Sequence, residues 1–128
     1  MQHFLAKGIL VASAGIFVAH ALAAPLPIQK HQGFIKARKA LLRIGWVPVR
    51  THYRLSDGTS ENNYGDAALF YDAGINEVQF CSGTGPNYCV HNYRRGSKCL
   101  RVATLGEYGV GRGPEVDSWY FECPRELP

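Results

Sequence analysis

An α+β domain is the fold class this sequence predicts, and three observations carry that expectation. Apolar residues recur at helical spacing through residues 28–44. Strand-like segments parted by glycine-bearing turns fill residues 76–123, and four cysteines stand among them. The expected architecture is an N-terminal amphipathic helix and a short second helix packed on one face of a four- to five-stranded antiparallel meander sheet, with two disulfides.

The chain has 128 residues, and its first 23 read as an export leader. Lys7 is the only charge there, an apolar stretch runs from Gly8 to Ala19, and Ala21-Leu22-Ala23 has the small-x-small pattern of a cleavage site. The apolar run is shorter than the roughly 20 residues of a spanning helix, so the expectation is cleavage near Ala23 rather than a membrane anchor. Residues 24–128 then form a single domain, which is too short for a large core and for which disulfides matter. No later stretch is apolar enough to span a bilayer.

From Ile28 to Ile44 the positions Phe34, Ala37, Leu41 and Ile44 make one stripe, widened by Ile35 and Leu42. Lys36, Lys39 and Arg43 take the other side, and Gly45 stands where a C-terminal cap belongs. Pro48 cannot continue a helix, so residues 46–55 read as an extended edge segment leading to a polar loop near residues 56–63. Residues 66–74 read as the short helix, with Asp66 as its N-cap and Gly74 as its end. Strands are expected over Asn76–Cys81, Tyr88–Tyr93, Cys99–Leu105 and Asp117–Cys123.

In an antiparallel hairpin, opposite residues have position numbers with a constant sum. Cys81 and Cys89 centre on Gly85, and Cys99 and Cys123 centre on Gly111, both inside turn-forming stretches. The expected pairs are therefore Cys81 with Cys89 and Cys99 with Cys123. By loop entropy these bonds contribute roughly 2.5 and 3.5 kcal/mol. The spacing matches neither a paired Cys-x-x-Cys zinc site nor a thioredoxin-like motif, and oxidised thiols leave no cysteine nucleophile.

Alternation poses a further question. If Val78, Phe80, Val90, Leu100 and Val102 face the helices, the cysteines at 81, 89 and 99 lie on the opposite face. A regular ladder from Cys99 to Cys123 then places Trp119 and Phe121 on that outer face with Arg101, Ala103, His91 and Tyr93, an aromatic and basic patch suited to binding. A bulge instead returns Trp119 and Phe121 to the core.

Charge is segregated: residues 24–54 carry seven Lys/Arg and no acid, whereas residues 55–90 carry five Asp/Glu and no base. Solvation and mutual pairing of the two blocks account for this without a polyanion, and no nucleic-acid partner is expected of an exported chain. His31, His52 and His91 lack metal-ligand spacing, so no metal or other cofactor is expected. The glycines at 106, 109, 111 and 113 lack the Lys-Ser/Thr of a phosphate loop, and residues 57–63, though rich in oxygen ligands, depart from EF-hand spacing.

The expected function is a secreted or periplasmic, non-catalytic binding module, inhibitor- or immunity-like, recognising a protein or envelope component. Its candidate binding residues are Trp119, Phe121, Arg101, His91 and Tyr93. The alternatives are a small hydrolase using His91 or carboxylates among Glu61, Asp66, Asp72 and Glu77, and a structural accessory of the envelope.

Overall fold

The computed structural model describes residues 25–51 and 65–124, together with Gly15 and Ile16. The leader expected over residues 1–23 lies outside the described residues except for those two, as do the polar loop with its oxygen-rich stretch and the side chains of His52 and Glu61.

Helix α1 spans Phe34–Arg43 and buries Phe34, Ala37 and Leu41, three members of the expected stripe, while Ile35 and Ile44 are exposed. It is shorter than its periodicity suggests. His31 has a positive φ of 66°, and residues 31–33 pair with a sheet edge instead: His31 N–H donates to the Val116 carbonyl (2.7 Å) and Val116 N–H to that of Gln32 (2.8 Å). Covering that edge satisfies backbone groups that a longer helix would leave bare. Ile28 remains in the core at 4% exposure.

The end of α1 follows from Gly45, whose φ is +92°. Its N–H donates to Leu42 and that of Trp46 to Leu41, a Schellman closure, and Trp46 and Leu41 share a core cluster. Helix α2, Gly65–Asp72, ends in the same way through Gly74 and Ile75, which donate to Tyr71 and Phe70. Asp66 is not the expected cap. It lies inside α2, and its carboxylate accepts from Asn87 Nδ2 and from Tyr108 N–H (2.8 Å), tying the β-hairpin and the glycine-rich loop to the helix.

The sheet comprises β1 (Val47–Pro48), β2 (Val78–Cys81), β3 (Tyr88–Arg95), β4 (Lys98–Leu105) and β5 (Glu115–Tyr120), every pairing antiparallel. β2 to β5 form the expected meander. β1 and β2 lie end to end along one edge of β3, and Asn92 marks their junction. Its N–H donates to the Glu77 carbonyl (3.0 Å), and its carbonyl accepts from Val49 (2.9 Å). The Asn92 side chain donates to Gln79 Oε1 (3.0 Å) and Thr51 Oγ1 (3.1 Å).

Both disulfides form as paired in the sequence reading, with Cα separations of 4.1 Å for Cys81–Cys89 and 4.7 Å for Cys99–Cys123. The face assignment needs correction. Val78, Leu100 and Val102 do face the helices, but so do Cys81, Cys89, His91 and Tyr93, while Phe80 and Val90 take the other side. The β2–β3 register is irregular between Val78 and Phe80, so Val78 and Cys81 share a face despite their odd spacing. In β3 both alternate sets, Tyr88-Val90-Asn92 and Cys89-His91-Tyr93, mix apolar with polar residues, so alternation alone does not choose between them.

A second irregularity, between Ala103 and Thr104, makes Trp119 the partner of Val102 and turns it toward the helices. Cys123 lies past the end of β5, so it reaches Cys99 without standing opposite it in the ladder.

Candidate functional site

At one end of the sheet, three segments distant in sequence meet. The Schellman turn after α1 delivers Trp46, only 4% exposed, with Ile44 beside it. The hairpin between β3 and β4 turns through Gly96 and Ser97, with Gly96 at φ +59°, and so sets Arg95 opposite Lys98. Beyond β5 the chain carries Phe121 to 6.3 Å from the Trp46 ring, on a segment held by Cys99–Cys123. With Pro25, Leu26 and Pro27 these walls enclose a groove of about 620 Å³. A shallower depression of about 410 Å³, lined by Ser97, Lys98 and the disulfide, lies on the other side of Phe121.

Phe121 is 67% exposed, two residues before the disulfide-bonded Cys123. Among the described residues, neither Arg95 nor Lys98 takes part in an ion pair. The groove thus combines an apolar floor, an exposed aromatic ring and two uncompensated cations. Trp46 contributes a buried indole N–H with no hydrogen-bond partner among the described residues.

The five residues expected to form a binding surface do not come together. Phe121 stands at the groove, and Trp119 packs half-buried against the core cluster on the helix side. Arg101 is on the opposite face, 3.8 Å from the Glu122 carboxylate. His91 and Tyr93 are fully buried and cannot belong to a surface patch.

Glu77, Arg38 and Tyr93 form a connected polar set on the helix side of the sheet. Glu77 is wholly buried; its carboxylate receives Arg38 Nε at 2.5 Å and the Tyr93 hydroxyl at 2.9 Å. Burial, then the adjacent carboxylate, holds the Tyr93 phenol well above its ordinary range. Burial opposes the Arg38 charge, yet the hydrogen bond and attraction from Glu77 outweigh it, and its pKa is raised.

His91 is stacked on Phe34 (ring centroids 4.0 Å apart) and edge-on to Phe70 (4.9 Å). Its Nε2 lies 3.3 Å from Thr104 Oγ1, and its Nδ1 has no partner among the described residues. Burial first and the Arg38 charge second lower its pKa to about 3, so the ring is neutral at physiological pH. Neither Glu77 nor His91 lines the Phe121 groove or the depression beside it, and Asp66 is engaged by its two donors. Among the described residues, no cluster of three or more His, Cys, Asp or Glu is arranged to hold a metal ion, and no helix is long and apolar enough to cross a membrane.

Sequence reasoning missed Trp46, Arg95 and Lys98. The cations had a readable signal: Arg94, Arg95 and Lys98 flank a two-residue turn and must cluster wherever it closes. Trp46 had none, because the groove walls around it come from residues 25–27, 95–98 and 121 as well as from its own turn. No protein-family model, no curated protein and no solved structure matches this chain.

Proposed function

We propose that this chain is an exported, non-catalytic binding module that recognises a protein partner through an acidic, apolar-bearing segment seated in the Phe121 groove. The observation that carries this reading is the exposed Phe121 ring, fixed beside Trp46 by a disulfide and flanked by two cations that have no counter-ion among the described residues. Aromatic and arginine side chains at a concave, apolar centre dominate the energetics of protein interfaces. The basic rim selects a carboxylate-bearing partner and speeds its encounter. The leader pattern of residues 1–23 and two disulfides agree with an oxidising compartment outside the cytosol. The hydrolase alternative draws no support from Glu77 and His91, which are buried away from the Phe121 groove, or from Asp66, which accepts two hydrogen bonds.

A photo-crosslinking residue placed at position 121 of the exported protein tests the proposal. The expected result is a discrete protein adduct, lost when Arg95→Glu and Lys98→Glu are combined and weakened by added salt. Absence of an adduct, or an adduct indifferent to both charge reversals, overturns it.

A further inference from the structure

Both helices pack on one face of the sheet, and among the described residues no helix covers the other. That outer face has a depression of its own, about 170 Å³ in volume. Its floor is Val90 and Ala103, 3% and 2% exposed. Its walls are Tyr88 on β3 and Tyr120 past the far side of β4, the latter 55% exposed. Arg101 and Glu122 stand at its mouth, 3.8 Å apart. The notch exists because the central strand offers only the Ala103 methyl between two tyrosines.

We propose that this depression is a subsite for one neutral sugar ring of a glycan. The inference rests on a different surface from the Phe121 groove and stands independently of it. Size is the first argument: the volume lies well below the roughly 300–1,000 Å³ of sites for drug-sized ligands, so a single ring fits, and a helix or multi-ring cofactor does not.

Chemistry is the second argument. The apolar C–H face of a pyranose packs on an aromatic ring. Its neighbouring hydroxyls can accept from the Arg101 guanidinium and donate to the Glu122 carboxylate. Arg101 and Glu122 cancel in charge, so the site draws neither anions nor cations. An aromatic side chain from a protein would fill the same space but would strip water from Arg101 and Glu122 without replacing their hydrogen bonds, which is costly. Burial, with the nearby Tyr120 phenol, holds Tyr88 above its ordinary range, so its hydroxyl stays protonated and able to donate.

The test is titration of the full mature chain with soluble oligomers of N-acetylglucosamine, of β-linked glucose and of α-linked glucose, followed residue by residue by amide NMR. At least one oligomer should bind saturably with a Kd of about 1 mM or below, shifting amides of Tyr88, Ala103 and Tyr120. Tyr120→Ala should weaken binding about tenfold, Tyr120→Phe much less, and Phe121→Ala not at all. Tyr120 is exposed, so its replacement does not threaten the fold. No saturable shift with any oligomer, shifts confined to the Phe121 groove, or a Tyr120→Ala variant that binds as tightly as the parent overturns the proposal.

Discussion

Acid should destabilise this domain through one buried ring. His91 is enclosed by Phe34, Phe70 and Thr104, and its pKa of about 3 contrasts with 6.5 for a free histidine. Because the unfolded chain takes up the proton first, it binds more protons than the native state between those two values. Stability therefore rises with pH across that window, is fully expressed above the unfolded pKa, and is lost as pH falls toward the folded one. Each pKa unit corresponds to about 1.4 kcal/mol, so the whole shift amounts to roughly 5 kcal/mol. Between about pH 6.5 and 4.5, before most carboxylates titrate, His91 alone should remove about 2 kcal/mol.

Urea unfolding at intervals across that range measures the loss, with His91→Phe as the comparison. Phenylalanine keeps the ring packing against Phe34 and Phe70 but cannot take a proton. It forfeits the Thr104 hydrogen bond, about 1 kcal/mol, at every pH alike. The slope of stability against pH is therefore the readout, not its absolute value. The variant should be nearly flat where the parent falls. Parallel slopes for the two proteins would refute the assignment of acid sensitivity to this ring.

Other perturbations test the remaining supports. Arg38→Ala leaves the Glu77 carboxylate buried without its cation and should cost about 3–5 kcal/mol in urea unfolding, whereas joint replacement of Arg38 and Glu77 by Met and Leu should recover most of that. Replacing Cys99 and Cys123 by Ser should cost about 3.5 kcal/mol and free the segment that carries Phe121. Cys123 is exposed and Cys89 wholly buried, so mild reduction followed by alkylation and mass mapping should label Cys99 and Cys123 before Cys81 and Cys89.

Much of the fold was legible because its signals are local. Gly45 and Gly74 end helices where the apolar stripes stop, since each must adopt a positive φ that other residues resist. The cysteine pairs were legible because hairpin geometry makes position numbers sum to a constant, a rule that holds closely enough for sulfurs on flexible side chains. The same rule failed for Trp119. A single extra residue between Val116 and Ser118 shifts the β4–β5 register, and a shift of one residue reverses which face a side chain takes.

His91 and Tyr93 illustrate the other limit. Polar residues on a strand read as solvent-facing, yet here an aromatic stack around one and a buried Arg38–Glu77 pair beside the other make burial tolerable. Those compensating groups come from α1, α2 and the segment before β2, so nothing near His91 or Tyr93 in the chain announces them. The groove at Phe121 is assembled in the same way, from residues 25–27, 46, 95–98 and 121.

By itself, the sequence determined the order of elements, the C-terminal ends of the helices, the turns and the partner of each cysteine, because neighbouring backbone and side-chain sterics decide these. Only the tertiary structure decided which side of each strand is buried and which aromatics stay in water. Those outcomes depend on register and on packing between segments far apart in the chain, where one inserted residue outweighs any local preference.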